Sequence, residues 1–153
     1  IALLVITLLL MVVYRSVLIG LLAILPNVLP IIFGFAAMSF LNINVDISSI
    51  LIACVCLGIC VDDTIFFLDD ISKRLTTGED ILQCVEKTVR HTGSSLAYST
   101  VVLIGGFSSF LLSSFSPNSN FGLITIFILF SALITDLLLL PCLLILFKMY
   151  KAT

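Results

Sequence analysis

Leu57-Gly58-Ile59-Cys60-Val61-Asp62-Asp63-Thr64-Ile65-Phe66-Phe67-Leu68 sets two adjacent carboxylates inside a continuous apolar run. The run extends back to Ile47 and is about 22 residues long, enough for a helix to cross the roughly 30 Å hydrocarbon core of a bilayer. It does not alternate as a strand would. In lipid only helices and closed barrels satisfy their own backbone groups, so a helix is expected. The rest of the chain agrees: of 153 residues 61% are hydrophobic and 10% charged, with a mean hydropathy of +1.33. A soluble domain carries about 25% charge. Too few charges are present to solvate a water-facing surface, and 7 Lys+Arg against 9 Asp+Glu make no basic footprint. A soluble globule, a disordered chain and a nucleic-acid binder are excluded.

Outward from that stretch, a 19-residue hydropathy reading gives five spans: Ile1–Val13, Val17–Leu41, Ile47–Leu68, Ser94–Phe115 and Phe121–Phe147. The expected fold is an all-α, polytopic bundle of transmembrane helices forming one domain over 1–153. The first run would cover about 20 Å, short of a full crossing, with no preceding cation and no cleavage site; the sequence therefore reads as a piece of a longer polypeptide cut within a helix. Connections alternate sides, so Arg15, Lys73, Arg74, Lys87, Arg90, Lys148 and Lys151 all fall on one face, opposite Asp46. By the positive-inside rule that face is cytoplasmic.

The long connection, residues 69–93, places Asp69 and Asp70 four residues before Lys73 and Arg74, a spacing suited to ion pairs along one helix. The span should thus run on into the cytoplasm. Thr76-x-x-Glu79 resembles a capping box and would open a short amphipathic helix with Ile81, Leu82, Val85 and Val89 on one face. Gly93 would end it, and it would lie along the membrane surface. His91, at its end, reads as interfacial. Pro26 and Pro30 should kink the second span. Gly105 and Gly106 should let a helix come close. The five Cys form no CxxC pair and read as small hydrophobes, with no metal site expected.

Chemistry concentrates in the carboxylates. A charged Asp near a helix centre costs about 2.5–3.5 kcal/mol on insertion scales, and two like charges resist ionising together. At least one of Asp62 and Asp63 should therefore spend much of its time protonated, which is what a proton-driven machine requires. Gly58, one turn earlier on the same face, should admit a neighbouring helix, and Thr64 adds a hydroxyl. Asp136 is the second intramembrane carboxylate. Asp62 and Asp136 each lie about 16 residues into parallel spans, at similar depth. Asp136 is either a relay member or a partner for backbone freed near Pro141.

The motif Gly58-x-x-x-Asp62-Asp63-Thr64-Ile65-Phe66-Phe67-Leu68 resembles the fourth/tenth-helix signature of the RND superfamily, in its MMPL-like and hydrophobe-exporter branch. Tyr14-Arg15-Ser16, Gly106-Phe107, Asn120-Phe121-Gly122-Leu123 and Asp136-Leu137-Leu138-Leu139-Leu140-Pro141 follow in matching order. The resemblance implies the last five helices of a six-helix half, with Pro141 and the short basic tail suiting the second half and a first half left open. It implies proton-driven export of hydrophobic or amphiphilic substrates, with Asp62 and Asp63 at proton-relay positions and Asp136 in a matching segment. Protons would be the coupling ion, with no other cofactor. Expected partners are membrane lipids, the other half of the transporter, the hydrophobic substrate and further copies of the same protein. The expected location is a bacterial inner membrane.

Other readings remain at this point. A SecD/SecF-type protein-export auxiliary shares the helix order, and a Patched-like sterol- or lipid-sensing module would bind lipid without driving export. An intramembrane aspartyl protease needs a GxGD motif, which Gly58-Ile59-Cys60-Val61-Asp62 is not. No Ser-His-Asp set, phosphate loop or metal cluster is present, so no catalytic residue is assigned and an enzyme is not expected.

Overall fold

A computed structural model describes residues 2–13, 17–45, 47–76 and 81–151. Seven α-helices follow one another: α1 Ala2–Val13, α2 Val17–Leu22, α3 Ile24–Phe40, α4 Ile47–Thr76, α5 Ile81–Ser108, α6 Ser116–Ile134 and α7 Leu140–Lys151. A 3-10 turn, Ser109–Leu112, prolongs α5, and a π-helical turn, Thr135–Leu139, joins α6 to α7. No strand occurs among the described residues. Four stretches are long and apolar enough to cross a membrane: Gly20–Phe40, Ser49–Thr76, Ile81–Leu112 and Ser116–Leu146. The protein is an all-α, multi-pass membrane bundle. Arg15, Asp46 and Glu79 of the expected capping box lie outside the described residues.

The prolines explain where helices break. Pro26 has no N–H to offer Leu22 and its ring presses on the preceding turn; the helix is interrupted at Ala23, between α2 and α3. Pro30 lies inside α3 and leaves the Pro26 carbonyl without its usual helical donor. At its other end α3 stops on Asn42, whose φ of 54° is left-handed. The Ile43 amide donates to Met38 O and the Asn42 amide to Ser39 O. This is the double bond that closes helix ends at a left-handed residue, and Ile43 packs on the cluster containing Met38. Near the chain's end the same logic gives a wider turn. Pro141 has no N–H for Leu137, and just before it the Leu140 amide reaches Thr135 O, five residues back.

The expected short surface helix ending at Gly93 needs correction. Thr76 ends α4, its hydroxyl donating to Lys73 O, and Gly93 ends nothing: α5 runs unbroken from Ile81 to Ser108. The amphipathic stretch is the lower part of a long helix standing against α4. Val85 and Leu96 are buried with Phe67, Leu68 and Ile71 in one cluster. Asp70 fastens the pair, accepting from Arg74 Nε at 3.0 Å and from Thr92 Oγ1 at 2.8 Å, while Lys73 pairs with Asp69 at 2.6 Å. Amphipathicity announces an apolar face without saying what covers it; here α4's extension does, in place of the lipid surface. Gly93 is used for proximity, since a Cβ there would stand 2.8 Å from Leu137 Cδ2. The last span likewise starts earlier than expected, at Ser116, with Pro117 in its first turn, where a missing N–H costs little.

The glycines that permit close packing are not the expected ones. A Cβ on Gly105 or Gly106 would meet nothing. One on Gly34 would run into Ile128, at the α3–α6 contact, and one on Gly122 would stand 2.8 Å from Phe110 Cβ and 3.0 Å from Phe107 O. In lipid, helix association relies on such close packing rather than on a hydrophobic drive. Gly34→Val is therefore expected to destabilise the bundle by about 1–3 kcal/mol, the usual cost of overpacking. Gly105→Val should change it far less. Detergent-titrated thermal unfolding of the two variants compares them, and equal midpoints would refute the packing assignment.

Candidate functional site

The site is built where α3, α4 and the π turn meet. The i, i+4 spacing along α4 separates its residues by face. Cys56, Cys60 and Thr64 are buried, whereas Cys54, Gly58, Asp62 and Phe66 are exposed, with Asp63 between the two sets. The tandem carboxylates thus do not share a surface. Asp63 turns toward the interior, and Asp62 lies on an outer face of the bundle at membrane depth. Gly58 lies on that outer face too, where a Cβ would meet nothing. The helix expected to pack at Gly58 is not one of this chain's described helices, and in that respect the expectation is corrected.

Asp136 is 1% exposed, on the π turn. Its Oδ1 accepts from Thr64 Oγ1 at 3.1 Å, so the α4 hydroxyl, two residues past Asp62, is what meets it at this depth. Its Oδ2 is buried and has no hydrogen-bond partner among the described residues. The hydrogen bond of Asp136 is thus to the Thr64 side chain and not to backbone near Pro141. Thr64, fully buried, is also 3.3 Å from Asn27 Oδ1. Asn27 in turn donates from Nδ2 to Ala23 O at 2.5 Å, the carbonyl at the helix interruption. Next to Asp136, Thr135 Oγ1 lies 3.4 Å from the Pro26 carbonyl that Pro30 leaves free, and 2.9 Å from Ala132 O of its own helix. Two consecutive residues of the widened turn therefore reach toward the proline-broken helix, one directly and one through Thr64.

Asn27 is the residue that sequence reading overlooked. The available signal was its isolation: it is a lone amide between Pro26 and Pro30 in an otherwise apolar span. The π turn left no comparable trace beyond Pro141. All five cysteines are free, three of them buried, and no group of three His, Cys, Asp or Glu able to hold a metal occurs among the described residues.

A broken second span, a long acid-bearing helix and a buried acid on a π turn before a proline follow one another along the chain. A family model described as the MMPL family matches residues 1–149. The chain belongs to the MMPL family. No curated protein and no solved structure matches it. MMPL membership makes it a membrane transporter of the RND type, and members of the family are transporters rather than enzymes. Within this MMPL chain, Asp62 and Asp63 lie in the apolar stretch Ser49–Thr76 and Asp136 in Ser116–Leu146, and Thr64 and Asn27 connect the last of them to the helix break.

Proposed function

We propose that the protein is the membrane part of an exporter of hydrophobic or amphiphilic molecules, driven by proton entry through Asp62 and Asp63. The observation that carries the reading is the pair itself: two adjacent carboxylates in a helix otherwise apolar from Ile47 to Leu68, one facing inward and one outward. Membrane carboxylates are expensive, and they recur where protons or ions move. Asp136, buried against Thr64, is the third member of the relay. Protonation removes charge from α4 and changes which neighbours it prefers; that difference in preference is the only way a proton can bias a conformational equilibrium.

The outer face of α4 supports a partner as well. An acid on that face is costly against lipid, and the space around Gly58 suits a close helix. A second half of the transporter docked there would shelter Asp62. The cationic residues Lys73, Arg74 and Lys87, near the α4–α5 turn, support a cytoplasmic side for that end, in a cell inner membrane. Family membership supports the exporter reading over the protein-export auxiliary. The test is gradient dependence. The full-length protein in proteoliposomes should move a fluorescent amphiphile only while a pH gradient is imposed, and a protonophore should stop it. Transport that ignores the protonophore would leave the proposal without its driving force.

A further inference from the structure

We propose that Thr64 and Asn27 are positioning residues that convert the protonation of Asp136 into tightening of the α2–α3 break. The inference rests on the proton-driven reading above and adds to it where one proton's arrival is felt.

Thr64 has one hydroxyl proton and two acceptors within reach: Asp136 Oδ1 at 3.1 Å and Asn27 Oδ1 at 3.3 Å. It serves one at a time. Asn27 is fixed in orientation, because its Nδ2 is spent on Ala23 O and its oxygen must therefore face Thr64. With Asp136 ionised, the charged oxygen takes the Thr64 proton. Asn27 Oδ1 then loses its donor, and Asp136 Oδ2 already has none. Two buried acceptors stand empty. A proton added at Oδ1 reverses the chain. Asp136 donates to Thr64 Oγ1, the Thr64 proton turns to Asn27 Oδ1, and Asn27 Nδ2 stays on Ala23 O. Only hydrogen bonds are exchanged, and Asp136, Thr64 and the Asn27 N–H on Ala23 O each keep an acceptor. A connected chain also polarises its members, so the last bond, on the carbonyl of the interrupted helix, strengthens.

Asp63 faces Asp136 and belongs to the same proposed relay, so the Asp136→Asn variant is what separates the two. Asp63 and Cys60, both on α4, are the titratable groups within electrostatic reach of it. From α3 it is approached by Asn27 through Thr64, and α5 places Gly93 against the neighbouring Leu137. Among the described residues no Lys, Arg or His acts on it. Thr135 has one hydroxyl proton too, and its own helix's Ala132 O at 2.9 Å and Ser131 O at 3.1 Å are closer to it than Pro26 O at 3.4 Å.

The experiment is pH-difference infrared spectroscopy of the full-length protein in lipid. On acidification the wild type should gain a carboxylic C=O band, absent in Asp136→Asn, together with an amide I change of the Ala23 carbonyl, isolated by a 13C=O label there. Thr64→Val should shift that band to higher frequency, for want of its hydrogen bond, and lose the amide I change. Thr64→Ser should restore both. Should Thr64→Val fail to fold, Asp136→Asn decides alone: its amide donates permanently to Thr64, so the shift of the labelled Ala23 carbonyl should vanish while Asp62 and Asp63 still titrate. A shift of the labelled Ala23 carbonyl that survives in Asp136→Asn, or an Asp136 band unmoved by Thr64→Val, overturns the proposal. These bands are scored whatever the outcome of the protonophore test, so a failure here is separate from a failure of proton-driven export.

Discussion

Replacing Asp62 and Asp63 together by Asn in the full-length protein is expected to reduce gradient-driven export to the level of empty membranes. Asn keeps the volume and much of the hydrogen bonding of a protonated Asp but cannot ionise. The doubly substituted helix is thus held in its neutral form, with the two acids removed from a span that has no other charge between Ile47 and Leu68. Folding should not suffer. Insertion scales charge about 2.5–3.5 kcal/mol for an ionised Asp at a helix centre, so the neutral variant should insert at least as well as the wild type. Loss of export with undiminished expression is the diagnostic pair, read by transport assay and by quantitative immunodetection in the same membranes. Reduced expression alone would point to a structural role for the acids instead.

Gly58→Leu should separate fold from function in the opposite way to Gly34→Val. Around Gly58 the chain leaves open space, so a leucine there meets nothing within the bundle. Leu also has the better helix propensity, by somewhat less than the about 0.8–1.0 kcal/mol that separates Gly from Ala. Thermal stability of the helices described here should be unchanged or slightly raised. Export should nonetheless fall at least about tenfold, because the added side chain would stand where the second half is proposed to dock, one turn from Asp62. The comparison of Tm with transport rate in one preparation makes the point. Export that survives intact would show that nothing closes on this face of α4.

The residues explain why some of this architecture was legible in sequence and some was not. Hydropathy located the spans because lipid admits few alternatives: the apolar run around Asp62 and Asp63 became α4, and the Asp69–Lys73 and Asp70–Arg74 pairs formed at the spacing a single helix provides. Periodicity could not say what covers an amphipathic face. The lower half of α5 therefore read as a surface helix ending at Gly93, although Phe67, Leu68 and Ile71 of α4 take up its apolar side. Glycine was equally ambiguous. Gly34 and Gly93 are close-contact points and Gly58, Gly105 and Gly106 are open, a distinction set by which helices are neighbours rather than by any local pattern. The partner of Asp136 was the least visible feature. Thr64 and Asp136 are 72 residues apart, and only tertiary packing brings them and Asn27 together.

The proton path is most directly tested by recording proton flux evoked by substrate, with a pH-sensitive dye inside proteoliposomes holding the full-length protein. The account predicts an inward proton current that rises with substrate and is absent from the Asp62→Asn/Asp63→Asn variant. A substrate-evoked current of wild-type size in that variant would contradict it.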